Sequence, residues 1–186
     1  LMALLDDPER TLEIMDRTAD WSIALAVAQV RRGADAIKVS SPFAGSGFLS
    51  PDMYEEFILP FEGRLAKAVR DEGKPIYTHT CGAIGDRLDL LCQVGVSGIE
   101  CLDPPPLGDV DITEAVHLLK GRIFIKGNID PVNTLLRGDT SKVKEDVTQV
   151  LGAAMEMDGF ILSSACSVAP PAPPDNLKYM VDLCRE

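Results

Sequence analysis

The chain has 186 residues, 46% hydrophobic and 25% charged, the proportions of a folded domain with a core of its own. Its 29 acidic against 18 basic residues give a net charge of −11, which excludes a general electrostatic attraction to nucleic acid or to an anionic membrane surface. The 5 cysteines are odd in number and follow no close-spaced framework, so free or metal-bound thiols in a reducing, cytoplasmic setting are expected rather than a secreted disulfide scaffold.

The opening Leu1-Met2 already reads as the run-up to a helix, as in a fragment of a longer protein. Asp7-Pro8 then supplies an N-cap followed by proline at the first helical position, with Gly33 as terminator. Ala36 to Ser40 is a short apolar run with the length of a buried strand. Ser50-Pro51 starts another helix, which Pro60 breaks or kinks. Phe61, Leu65, Ala68 and Val69 continue at helical spacing to Gly73. Further strands are predicted at Pro75 to His79, Gly98 to Leu102, Arg122 to Lys126 and Phe160 to Ser163. Helical stripes alternate with them: Ile84, Leu88, Leu91 and Cys92, then Ala115, Val116 and Leu119, then Val143, Val147, Val150, Leu151 and Ala154. The last stripe is Leu177, Met180, Val181 and Cys184. On this pattern Cys92 and Cys184 are core residues, Cys101 is a strand-interior core residue, and His117 belongs to the surface or its boundary.

Alternating helices and strands imply parallel strands joined by helical crossovers, an α/β fold. No G-x-G-x-x-G or P-loop follows a strand, which disfavours a nucleotide-binding domain. Ser40 and Ser41, His79 and Cys81, Asp103, Asn128 and Cys166 all fall at or after strand C-termini, where a (β/α)8 barrel carries its active site and where an open α/β sheet also places its ligands. A closed TIM barrel takes about 250 residues. Residues 1–186 are therefore read as a single domain, the C-terminal five strand-helix units of such a barrel. An incomplete barrel leaves apolar strand edges for a missing segment or a partner to cover, a homo-oligomer being one such arrangement.

Tyr77-Thr78-His79-Thr80-Cys81-Gly82 is the most informative stretch. Residues two apart on a strand face the same way, so His79 and Cys81 can offer an imidazole nitrogen and a thiolate to one point. Cys166, just beyond the last strand, can approach across the rim. A His/Cys/Cys set leaves tetrahedral zinc one open position, as a catalytic site needs. Two thiolates neutralise the ion, and a substrate thiolate added to them stays nucleophilic. The bland alternative is that all three are packing residues, since buried His and free Cys are common.

With these residues the chain resembles the uroporphyrinogen decarboxylase superfamily, and within it the zinc-dependent methylcobamide:coenzyme M methyltransferase type. The landmarks are Asp6-Asp7-Pro8-Glu9, Gly33-Ala34-Asp35-Ala36, Ser50-Pro51 with Tyr54-Glu55-Glu56-Phe57, and His79-Thr80-Cys81-Gly82. They continue with Gly127-Asn128-Ile129-Asp130-Pro131, Gly159-Phe160-Ile161-Leu162-Ser163 and Asn176, spread over nearly the whole chain.

The resemblance implies a (β/α)8 barrel whose zinc is held by the residues at His79, Cys81 and Cys166. It implies a methyl donor, a methylcobalamin-type corrinoid carried by a separate corrinoid protein, and a small-molecule thiol acceptor such as coenzyme M. The zinc thiolate would attack the methyl carbon and leave cob(I)amide. The resemblance also implies an N-terminal part with the first barrel strands, without which full activity is not expected. Glu100 is either a fourth zinc ligand that leaves when the acceptor binds or a rim salt-bridge residue. Asp103 either orients a ligand or caps the proline turn. Tyr77 and Asn128 are candidate substrate contacts, although an Asn after Gly is also an ordinary turn residue. Two other functions compete. One is a metal-free tetrapyrrole decarboxylase, for which this acidic segment offers little basic pocket beyond Lys126. The other is a non-catalytic docking module for a corrinoid protein.

Overall fold

The computed structural model describes residues 1–185. Five parallel strands, β1 (Ile37–Ser40), β2 (Ile76–Thr80), β3 (Gly98–Cys101), β4 (Phe124–Ile129) and β5 (Phe160–Ser164), lie side by side in chain order. Helices fill every connection, as parallel neighbours require. They are α1 (Met2–Asp6), α2 (Pro8–Arg31), α3 (Pro51–Phe57), α4 (Leu59–Asp71), α5 (Leu88–Gln93), α6 (Ile112–Leu119), α7 (Thr140–Ala154) and α8 (Pro174–Leu183). This succession is a partial barrel wall. Among the described residues β1 and β5 each pair on one side only.

Local chemistry sets the helix boundaries. Asp7 accepts from Arg10 N–H at the start of α2, and Ser50 accepts from Met53 N–H at the start of α3. Pro60 takes a first-turn position in α4 rather than kinking one long helix, so the break falls at Ile58. Gly73 and Gly95, both at positive φ, follow the ends of α4 and α5. A six-residue π-helical turn, Pro131–Leu136, follows β4 and had no signal in the hydrophobic pattern.

The two faces of the sheet differ as period-2 alternation demands. Ile37, Ile76, Ile99 and Ile125 bury one face against Val30, Leu65, Val69, Leu91, Ala115, Leu119, Val143 and Val147 of the helices. The other face, the barrel interior, carries Lys38, Tyr77, His79, Glu100, Phe124 and Lys126. Ile161 on this face is 51% exposed.

Three expectations need correction. The fourth strand runs from Phe124 to Ile129 instead of ending at Lys126, which puts Asn128 inside the ladder, opposite Ser163. Helix α8 ends at Leu183, and the stripe it packs against the core is the partly buried Leu177, Met180 and Leu183, so Cys184 is exposed and not a core residue. Cys92 is only partly buried, although it does pack against the core. No helix among the described residues is long and apolar enough to cross a membrane.

Candidate metal centre

His79 and Cys81 stand at the C-terminal end of β2, and Gly82 turns the chain directly after them at φ 75°, a conformation that a side chain would strain. His79 Nε2 lies 3.2 Å from Cys81 Sγ. In the sheet, β3 and β4 separate β2 from β5. Even so, Cys166, on the segment that continues past β5, brings its Sγ to 3.7 Å from that of Cys81. Curvature of the sheet and the course of the chain after Ala165, whose N–H donates to Ile129 O, close this gap. Cys101, from the end of β3, completes the group: one donor atom each from His79, Cys81, Cys101 and Cys166, all within 4.8 Å of one another.

The cysteines are free thiols, and 3.7 Å is far beyond the roughly 2.05 Å of a disulfide. It matches instead the sulfur–sulfur edge of about 3.8 Å in a tetrahedron with metal–sulfur bonds of about 2.3 Å. The donor set, imidazole nitrogen with thiols, is the one zinc prefers, so the residues present fit a zinc ion. Burial, together with the neighbouring thiol of Cys166, pushes the Cys81 thiol up to about 11. Burial also pushes that of Cys101 up, aided by the Asp103 carboxylate. Without a cation these thiols keep their protons at neutral pH.

Behind the donors stands a carboxylate scaffold. Glu100 Oε1 is 3.2 Å from His79 Nδ1 and accepts from Lys38 Nζ at 3.0 Å, while its Oε2 pairs with Lys126 Nζ at 3.0 Å. Burial raises the Glu100 carboxyl, but hydrogen bonds and charge from Lys126 and Lys38 outweigh it and hold the group below its ordinary range. An ionised Glu100 accepts the Nδ1 proton and so leaves the Nε2 lone pair facing the thiols. Asp103 Oδ2 accepts from Gly82 N–H at 2.8 Å and from Cys101 Sγ at 3.2 Å. Gly108 seals this corner, since a Cβ there would meet Asp103 O at 2.3 Å and Gly82 O at 2.7 Å.

The structure therefore gathers His79, Cys81 and Cys166. It places Glu100 behind the imidazole, in the ion pairs of the barrel interior. The Asp103 side chain reaches to the turn after Cys81, and only its backbone carbonyl engages the proline loop, through Val110 N–H. Asn128 is buried and donates to Leu102 O at 3.0 Å, with Oδ1 free of a partner. Tyr77 lies two residues below His79, its ring 5.7 Å from that of Phe124, toward the opposite end of the strands from the thiols. Ser41 does not join the thiols but bonds to Glu62, and His117 is on the surface. Sequence reasoning missed two members: Cys101, assigned to the core, and Lys38, on the first strand. For Lys38 the available signal was the strand face it shares with His79 and Glu100, which the register aligns; for Cys101 the strand pattern gave none.

The family model for uroporphyrinogen decarboxylase (URO-D) matches residues 1–186. The chain is 29% identical over 172 residues to a methylcobamide:CoM methyltransferase, MtbA, of Methanosarcina acetivorans, covering 92% of this chain and 48% of that protein. It is 30% identical over 177 residues to a uroporphyrinogen decarboxylase of Syntrophotalea carbinolica, covering 94% of this chain and again 48% of the relative. A solved methyltransferase from Methanosarcina mazei superposes with a TM-score of 0.78 at 25% identity, covering 90% of this chain and 46% of that one. The chain thus spans about half the length of the curated relatives it matches. Both chemistries occur among proteins of this similarity, and the chain belongs to the uroporphyrinogen decarboxylase family.

Proposed function

We propose that this chain carries the zinc-binding side of a methyltransferase that moves a methyl group from a corrinoid, held by a partner protein, to a small thiol such as coenzyme M. The single observation that carries the reading is the convergence of His79 Nε2, Cys81 Sγ and Cys166 Sγ at contacts of 3.2 and 3.7 Å. Zinc bound there would supply Lewis acidity that keeps an acceptor sulfur as the thiolate at neutral pH.

The chain's own residues do the remaining work. Glu100 fixes the imidazole tautomer, and Lys38 and Lys126 keep Glu100 ionised. Asp103 holds the Cys81-Gly82 turn in place. An acceptor sulfur activated in this way would take the methyl group, a carbon–sulfur bond replacing the cobalt–carbon bond whose electron pair the corrinoid would keep. Asn128 Oδ1, buried and unpartnered beside the strand ends, is the substrate contact we assign. Tyr77 we assign to packing with Phe124 instead. The decarboxylase reading has less support: Lys38 and Lys126 face the interior, but Glu100 pairs with both, which leaves little free positive charge for a polycarboxylate.

The test is metal content of the reduced, chelator-washed, full-length natural protein beside its Cys81→Ser and Cys166→Ser variants. About one zinc per chain is expected, lost in both variants together with methyl transfer from methylcobalamin to coenzyme M. Zinc that is absent, or that persists in both variants, refutes the reading.

A further inference from the structure

We propose that Cys101 is a fourth protein ligand of the metal, so that the resting centre is a closed site of one imidazole and three thiolates. The proposal rests on the metal reading of His79, Cys81 and Cys166, and adds a residue that neither spacing nor the strand pattern marks as a ligand.

Alternation along β3 should send Cys101 the same way as Ile99, which is fully buried in the helix-facing core. It does not stay there. Cys101 adopts φ 96° and Leu102 φ 54°, two consecutive non-glycine residues in the left-handed region. Such backbone is unfavourable for side-chain-bearing residues and persists where the surroundings hold it. At this bend the strand leaves its regular course, and Cys101 Sγ joins the donors of His79, Cys81 and Cys166 inside the same 4.8 Å envelope. Its one hydrogen bond is to Asp103 Oδ2, the oxygen that also fixes the turn after Cys81, so a single carboxylate positions two of the sulfurs. Metal binding would exchange that S–H hydrogen bond for a metal–sulfur bond, with the proton released to solvent.

Charge and coordination follow from the count. Three thiolates around Zn2+ give a net charge of −1 before any acceptor arrives, and four protein donors fill a tetrahedron. A thiol acceptor would then have to displace a ligand instead of filling an open position. Among the described residues Cys101 is the sole further thiol in reach: Cys92 lies on α5, packed against the core, and Cys184 is exposed beyond α8.

The deciding measurement is zinc-edge X-ray absorption on the full-length natural protein, zinc-loaded and reduced with a phosphine so that no added thiol can bind. Three sulfurs and one nitrogen are expected in the wild type, and two sulfurs with zinc still bound in Cys101→Ala. Cobalt(II) substitution gives a second readout, since the sulfur-to-cobalt charge-transfer band should weaken by about one third when one thiolate of three is lost. Two sulfurs in the wild type, unchanged in Cys101→Ala, overturn the proposal and leave the three-ligand centre standing. A wild type that binds neither metal overturns both. If Cys101→Ala fails to fold, Cys101→Ser takes its place: a sulfur count one below that of the wild type, with zinc still bound, supports the proposal, and an unchanged count overturns it.

Discussion

Two buried polar clusters flank the C-terminal ends of the first strands, and they are built on opposite rules. In one, Glu62 of α4 accepts from Tyr54 Oη at 2.6 Å and from Ser41 Oγ, while Arg87 donates to Ala44 O and Leu49 O at 2.8 Å each and pairs with Asp86. None of its buried side-chain atoms lacks a partner. In the other, Asp103 Oδ1, on the carboxylate that bonds Cys101 Sγ, and Asn128 Oδ1, on the side chain that bonds Leu102 O, are buried without one. A polar network closed on itself is complete as folded and serves the fold. Buried polar atoms left without a partner beside a set of metal-type donors mark a place that is incomplete as folded.

The contrast breaks most visibly at Arg87, which is 1% exposed. Arg87→Met leaves the carbonyls of Ala44 and Leu49 unpaired, and each orphan costs about 1–3 kcal/mol. We expect a loss of about 3 kcal/mol or more in urea unfolding, with zinc per folded molecule unchanged. A variant that loses zinc while keeping its stability would show that the two clusters are one unit.

The opposite signature is expected at Glu100. Glu100→Gln keeps the shape but removes the negative charge that orients His79 and holds two lysines. Zinc affinity should fall about 10–100-fold, as losses of such supporting partners do, with competition against a chromophoric chelator as the readout. An unchanged affinity would mean that the ring is held by packing alone. Tyr54→Phe is smaller again. It removes one donor from Glu62 in a closed network, about 1 kcal/mol of stability by thermal or urea unfolding, and leaves the metal untouched.

The same contrast explains what was legible in the sequence. The satisfied parts are written in local signals: the caps at Asp7 and Ser50, the first-turn proline at position 60, and apolar stripes that place each helix within a few residues. Three of the four clustered donors were legible because His79 and Cys81 share a strand face and Cys166 follows a strand end. Cys101 was not, because its position depends on a left-handed bend that no propensity predicts. Glu100 was visible as a strand residue, but its choice between ligand and support depends on Lys38, sixty-two positions away in sequence. Cys184 was misplaced because a helical stripe does not say at which residue the helix stops.

The smallest effect tests what kind of closure the satisfied cluster has. Burial pushes the Glu62 carboxyl above its ordinary value, and the hydrogen bonds from Ser41 and Tyr54 pull it back only in part. A carboxyl whose folded pKa is raised binds more protons folded than unfolded across the interval between the two values. Stability therefore falls as pH rises through that interval, starting from the unfolded value of about 4.3. Glu62→Gln is neutral at every pH and lacks this slope, so the variant should gain on the wild type as pH increases from acid toward neutral. Chemical denaturation of both proteins at several pH values reads the difference directly. Parallel curves would mean that folding leaves the proton affinity of Glu62 unchanged. A variant that loses ground with rising pH would mean that Tyr54, Ser41 and the nearby Arg87 guanidinium stabilise a charge. In that case this cluster too is held together by ionic attraction, and what separates it from the thiol cluster is the orphaned atoms alone.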